Sequence, residues 1–247
     1  MRLAGFNIKV NTDYGQIDSL VSEYIISKPI NNDVDISISI SYNDIMREAE
    51  ANKHEDMIKK TTAYRSNGAS LYEFNALHKK LAEEIPLHDA FLMHGAVVAK
   101  DNNAYMFTAP SGIGKTTRIR LWREIYPDSI IVNGDKPIVK VEHNRILVCG
   151  TPWCGKERWN TNTMVPLRAV FLLERVNTNE ETIVEEISFE MAFQTLLKQI
   201  YQPINLEALK KTISLLASLN GKVKIYKYLS SPTLESVIRA YEVSNKS

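Results

Sequence analysis

Nine consecutive residues carry the most specific chemistry in the chain: Ala109-Pro110-Ser111-Gly112-Ile113-Gly114-Lys115-Thr116-Thr117. Two glycines flanking one residue let successive backbone N–H groups turn inward around an anion, where a Cβ would obstruct them. Lys115 can then reach the β and γ phosphates of a nucleoside triphosphate, and the Thr116 hydroxyl is placed to hold Mg²⁺. Ser111, Gly112, Ile113 and Gly114 are expected to line the phosphates together with Lys115, Thr116 and Thr117. The usual pattern opens on glycine and this one on Ala109, which loosens the match without removing a group that touches phosphate. The competing reading is a glycine turn that caps an ordinary helix and leaves Lys115 solvated.

A triphosphate site also needs a carboxylate to complete the metal shell. Ile130-Ile131-Val132-Asn133-Gly134-Asp135-Lys136-Pro137 reads as an apolar strand ending in Asp135, which can bind the metal directly or through water. The alternative is a turn aspartate before Lys136-Pro137. His94, in Met93-His94-Gly95, reaches the same place only if the strand register cooperates, and a lone histidine is commonly structural. The stretch from Gly150 to Asn160 mixes two glycines, two tryptophans and charged residues. Lys156 and Arg158 there could clamp a transferring phosphoryl group, and a tryptophan could stack on a base or wall off water. A packed turn with surface charges is the plain alternative. Arg118 and Arg120 are candidates to approach phosphate, and Arg123 is expected in solvent.

The elements that must position these residues follow from periodicity. Residues 104–108 read as a buried strand and 116–126 as a helix with Ile119, Trp122, Ile125 and Tyr126 on one side, stopped by Pro127. Strand, glycine loop and helix start thus stand in the order an anion site needs. Upstream, residues 95–99 and the Asp101-Asn102-Asn103 turn make a hairpin with the loop strand. Residues 138–142, a turn at His143-Asn144, and 145–149 make a second hairpin. A mixed, hairpin-rich sheet is therefore expected rather than the mostly parallel sheet of switch GTPases. Strands at 167–174, 182–187 and 222–229 alternate with helices. Ser188 caps one, a second runs from Leu206 to a Gly221 cap, and a third has Pro232 in its first turn.

Residues 1–86 read as a small β-rich lobe and 87–247 as the domain that carries the loop. Phe6, Ile8 and Val10, and Ile36, Ile38 and Ile40, alternate with polar residues as half-buried strands do. Residues 43–52 read as a short polar helix. Asn67-Gly68 predicts a hairpin between 61–65 and 70–74, after which Asn75 opens a helix that Pro86 bends or breaks.

Composition narrows the classes further. Thirty Lys and Arg against 29 Asp and Glu give a net charge of +1, so no global field favours nucleic acid or an anionic membrane. No segment approaches the apolar length that spans a bilayer, and the N-terminal residues lack a signal-peptide pattern. Two cysteines, Cys149 and Cys154, exclude a disulfide scaffold and make a poor zinc site. A cytoplasmic enzyme with an α/β fold is expected.

Together Met93 to Val98, the loop from Ala109 to Thr117 and Asn133-Gly134-Asp135-Lys136-Pro137 resemble the C-terminal kinase domain of the HPr kinase/phosphorylase family. That family sits in a wider group with phosphoenolpyruvate carboxykinases. The chain is especially similar to short HPr-kinase-like proteins with a Gly-Thr-Pro-Trp-Cys-Gly-Lys loop, some of them found beside modified-peptide biosynthesis genes. The resemblance covers residues 88–175 well, the later helices loosely and residues 1–85 hardly. It implies ATP and Mg²⁺ held by Gly112, Gly114, Lys115 and Thr116, with His94 tuning the active-site acid. It also implies a γ-phosphoryl transfer to a hydroxyl of a peptide, protein or small molecule, and a homo-oligomer.

The family places two adjacent aspartates where this chain has Gly134-Asp135. Either Asp135 serves both metal and base, or His94 becomes the base, or the acceptor differs. A slow or non-catalytic ATP-gated binding module is the alternative that the departure keeps open. A carboxykinase-like lyase would need metal-ligating and carboxylate-binding residues that have no evident place in the chain, and no guanine motif points to a GTPase.

Overall fold

The computed structural model describes residues 1–26, 33–59, 68–174 and 182–246. The chain divides into two compact units, Met1–Ile85 and Pro86–Ser247.

The first unit contains β1 (Arg2–Leu3), β2 (Phe6–Thr12) and β3 (Ile36–Ile40), in that order across a three-stranded sheet. β2 and β3 pair in parallel, with Ile8 opposite Ile36 and Val10 opposite Ile38. Ile36, Ile38 and Ile40 are buried while Ser37 and Ser39 face water, as their alternation predicts. Two helices follow, α1 (Tyr42–Lys59) and α2 (Gly68–Glu84). The expected hairpin is overturned on its second arm: residues 70–74 lie within α2, and 61–65 lie outside the described residues. Glu73, Ala76, Leu77 and Leu81 are all buried at helical spacing, and that longer repeat outweighs a local Asn-Gly signal. The helix therefore starts well before Asn75, and Pro86 falls in a 3₁₀ turn, Ile85–His88, that ends it.

The second unit is a mixed α/β fold built on a nine-stranded sheet. Its strands are β4 (Ala90–Leu92), β5 (Ala96–Lys100), β6 (Asn103–Thr108), β7 (Ile130–Asn133), β8 (Ile138–Glu142), β9 (Arg145–Cys149), β10 (Met164–Glu174), β11 (Ile183–Glu186) and β12 (Lys224–Leu229). Between them run α3 (Lys115–Ile125), α4 (Phe189–Leu197) and α5 (Leu206–Ala217), and α6 (Leu234–Asn245) closes the chain. The hairpins β5–β6 and β8–β9 form in the registers the sequence predicts. β10 organises the rest. Its first residues pair antiparallel with β9, and beyond an irregularity at Leu167–Ala169 it lies between β6 and β12, parallel to both.

Alternating residues of these strands feed two cores. Val98, Tyr105, Phe107 and Phe171 pack with Ile119 and Trp122 of α3 and Val237 and Ala240 of α6. Val97, Met106 and Val170 pack with Leu196 of α4 and Leu216 of α5. Period-2 strands so clamped place the C-terminal end of β6, where the glycine loop begins, against a rigid floor. Ser188 accepts from the Met191 N–H and caps α4 as expected. α6 starts one residue after its cap, Thr233, so Pro232 precedes the helix rather than joining its first turn.

Among the described residues no helix is long and apolar enough to cross a membrane.

Candidate functional site

The chain leaves β6 at Thr108 and turns through Pro110, Ser111 and Gly112, all exposed, into α3. Gly112 and Gly114 hold φ of 82° and 102°, a left-handed geometry that a side chain resists. Gly114 is the N-cap residue of α3 and no side chain caps that helix. Its first N–H groups and the positive end of its dipole are therefore offered to an anion, beside Ile113, Thr116 and Thr117. Lys115 is buried, and its Nζ donates back to the carbonyls of Ala109 at 2.8 Å and Pro110 at 3.3 Å. Burial pushes its ammonium below the usual lysine range, and the charge of Asp135 opposes that in part.

That effect of Asp135 on Lys115 puts the two groups in one field. β7 ends at Asn133, so Asp135 sits in the connection to β8 rather than on the strand itself. Asn133, fully buried, builds that connection. Its Oδ1 accepts from the N–H groups of Asp135 (2.9 Å) and Lys136 (2.8 Å). Its Nδ2 donates to the Thr151 carbonyl at 2.9 Å, and the Thr151 hydroxyl donates to the Lys136 carbonyl at 2.7 Å.

The register does bring His94 here. Its Nε2 lies 3.3 Å from Asp135 Oδ1, and the Gly95 N–H donates to the Asp135 carbonyl at 2.8 Å. Thr108, the last residue of β6, donates its hydroxyl to the His94 carbonyl at 2.6 Å. Gln199 grips the histidine from the other side, accepting its N–H at 2.6 Å and placing Oε1 3.3 Å from Nδ1. Burial pushes the Asp135 carboxyl up, but the hydrogen bond and charge of His94, with Lys136 and Lys115 beyond, more than offset it. The carboxyl therefore stands below the usual carboxylate range. Its Oδ2 has no partner among the described residues.

The segment from Gly150 to Asn160 lies over this corner. Lys136 donates its N–H to the Trp153 carbonyl, and Thr161 to that of Val132. A Cβ built on Gly134 would meet the Cys154 carbonyl oxygen at 2.5 Å, so that position takes glycine alone. The tip, Gly155-Lys156-Glu157-Arg158, is an exposed turn closed by Arg158 N–H to the Gly155 carbonyl, with Arg158 itself at φ 53°. A Cβ at Gly155 would stand 3.4 Å from that of Asp135, which sets the tip beside the carboxylate.

Several expectations need correction. Trp153 is buried and so presents no face for a base, while Trp159 is half-buried and packs against the aromatic core. Arg118 does not lie at the surface. It is buried, donates to the Ser230 carbonyl at 2.6 Å and lies over the Tyr228 ring. Arg120 and Arg123 are exposed. Burial pushes the Cys149 thiol up to about 12, which makes it inert.

Among the described residues no group of three or more His, Cys, Asp or Glu could hold a metal ion. Thr116 and Asp135 are oxygen donors of the kind Mg²⁺ takes, a cation that keeps waters and substrate phosphates in place of an all-protein cage. A cavity of about 620 Å³ lies elsewhere, beside Asn103, Ser188 and Gly221, at the opposite end of β6 from the loop. Its openness to charged groups already paired, such as Glu190 with Asn220 and Lys224 with the Lys246 carbonyl, sets it apart from the chemistry.

Gln199 and Thr151 escaped the sequence reading. Nothing local marks Gln199, 105 residues from His94. The role of Asn133 also went unread, although an asparagine ahead of a turn can bond the backbone two residues on.

No protein-family model matches the chain, and neither does any curated protein. Among solved structures it is similar to the HPr(Ser) kinase/phosphatase from Coxiella burnetii, at 12% identity and a TM-score of 0.35. That match covers 62% of this chain and 96% of the other.

Proposed function

We propose that this protein is an ATP- and Mg²⁺-dependent phosphotransferase that moves the γ-phosphoryl group to a hydroxyl of a peptide, protein or small molecule. The observation that carries the reading is the meeting of Lys115, at the uncapped start of α3, with the His94–Asp135 pair. A loop of the phosphate-cradling type then has beside it a carboxylate able to take the acceptor's proton.

The chemistry follows from which atoms are free. Both ring nitrogens of His94 are engaged, Nε2 by Asp135 and Nδ1 by Gln199, whereas Asp135 keeps Oδ2 open. Asp135 is therefore the base, and His94 and Gln199 orient it. The acceptor oxygen forms a bond to the γ phosphorus, the bond from that phosphorus to the bridging oxygen breaks, and ADP leaves. The hydroxyl proton passes to Asp135 Oδ2. Lys115 and the Lys156 and Arg158 tip spread the charge that gathers on the phosphoryl oxygens. Mg²⁺, held by Thr116 and the phosphates with Asp135 directly or through water, would neutralise that charge further.

Titration calorimetry with Mg·ATP, and transfer of γ-³²P to candidate hydroxyl acceptors, test the reading. The wild type is expected to bind Mg·ATP, and Lys115→Met to weaken binding by about tenfold or more. No binding of any nucleoside triphosphate at millimolar concentration overturns the proposal.

A second reading, an ATP-gated binding module, rests on Gly134, where the close Cys154 carbonyl leaves no room for a second carboxylate. Tight ATP binding with no acceptor labelled, unchanged by Asp135→Asn, would select it.

A further inference from the structure

One turn into α3, beside the glycine loop, sits a guanidinium with no counter-ion among the described residues. Arg118 is 1% exposed. Nη2 reaches the Ser230 carbonyl and the group lies 4.9 Å from the centre of the Tyr228 ring, while Nε has no hydrogen-bond partner. Nη1 presses on Gly114 from below, where an ideal Cβ would stand 3.2 Å from it. Among the described residues no carboxylate forms an ion pair with it.

Burying a cation costs several kcal/mol, about what a well-placed opposite charge returns, and a carbonyl with a ring face compensates only in part. A brace between α3 and the end of β12 needs no charge, since a methionine of similar length would fill the space. No carboxylate among the described residues supplies the compensating charge, and a bound anion can supply it. The loop beside Nη1 is where it can arrive, because Gly114 lies against that atom and no side chain caps α3 there.

We propose that Arg118 is a positioning residue for a polyphosphate: its buried charge is balanced by the phosphates of the ligand that residues 111–117 hold. The inference rests on the phosphotransferase reading and deepens it, because it makes the ligand's phosphate charge, rather than its base, the main source of affinity.

The test compares Mg·ATP, Mg·ADP, AMP and inorganic tripolyphosphate as probes, by calorimetry on the full chain, with thermal unfolding of each variant with and without them. The wild type is expected to bind tripolyphosphate and ATP well above AMP. Arg118→Met and Arg118→Gln should each weaken ATP and tripolyphosphate by about tenfold or more and AMP far less. Arg118→Lys, which keeps the charge, should retain most of the affinity. Ligand-free Arg118→Met should unfold at the wild-type temperature or above, since an uncompensated charge has been removed.

Wild-type tripolyphosphate affinity in both charge-free variants overturns the proposal and leaves the phosphotransferase reading intact. So does an equal loss for AMP and ATP, the mark of a mere brace. If Arg118→Met fails to fold, the contrast between Arg118→Gln and Arg118→Lys decides. A wild type that binds no polyphosphate removes both readings.

Discussion

In the proposed phosphotransferase Asp135 carries the heaviest burden of any single residue, because that reading asks one carboxylate to serve as base and to complete a metal shell. Asp135→Asn keeps the size of the side chain and an oxygen to face His94 but removes the proposed proton acceptor. It is expected to lower kcat for phosphoryl transfer by about 10²–10⁴ while changing Mg·ATP affinity much less, as steady-state kinetics beside calorimetry would show. The neighbouring glycine explains why a second acid does not share the load. Gly134→Ala would drive a methyl into the Cys154 carbonyl. Because that contact is backbone, the segment over Asp135 must shift. A stability loss of about 1–3 kcal/mol in urea titration is expected, together with reduced transfer. A Gly134→Ala variant as stable and as active as wild type would show that the segment is free to move.

At the scale of elements, helix starts govern where charge can gather. α3 leaves its first turn uncapped beneath two left-handed glycines, whereas α4, α5 and α6 are each closed by a side chain, from Ser188, Asn205 and Thr233. The contrast leaves α3 as the helix of the four in the second unit with no side-chain cap among the described residues, which is where the proposed phosphate site lies. α1 in the first unit also has side-chain bonds at its start. Asp44 Oδ2 accepts from the Ser41 N–H at 2.8 Å and from its hydroxyl at 2.7 Å, and Lys80 lies 2.9 Å away.

Burial pushes the Asp44 carboxyl up, but the Ser41 bonds and Lys80 more than offset it and bring it from 3.8 down to about 2. A carboxyl lowered on folding stabilises the protein above its unfolded value, and that contribution fades as pH falls from about 4 towards 2. Asp44→Ala should therefore cost about 1 kcal/mol at neutral pH. It should also flatten the loss of stability between pH 4 and 2 in thermal unfolding, and an unchanged acid slope would discount the interaction.

At the scale of the molecule, both apolar cores that support the site lie within Pro86–Ser247. Trp122, Tyr105, Phe107 and Phe171 lock α3 to the sheet through ring contacts 5.0 to 5.8 Å between centres. A unit with its own core is expected to fold alone. A chain of residues 86–247 should unfold cooperatively and bind Mg·ATP within about threefold of the full protein. Loss of nucleotide affinity in a folded fragment would assign the first unit a part in binding that nothing in residues 86–247 supplies.

The sequence by itself determined the strand, glycine loop and helix in their order, the two hairpins and the Ser188 cap of α4. These features repeat every two or three to four residues, or sit within one turn, so neighbours in sequence are neighbours in space. It misread 70–74, because Tyr72 and Phe74 suit a strand as well as a helix until Glu73, Ala76 and Leu77 are seen buried together. Tertiary structure alone decided that His94 meets Asp135 and Gln199, that Gly134 lies under a carbonyl, and that Arg118 is buried beneath Gly114. Each of these depends on strand register or on contacts between residues far apart in the chain, and no periodicity encodes the distance between two such segments.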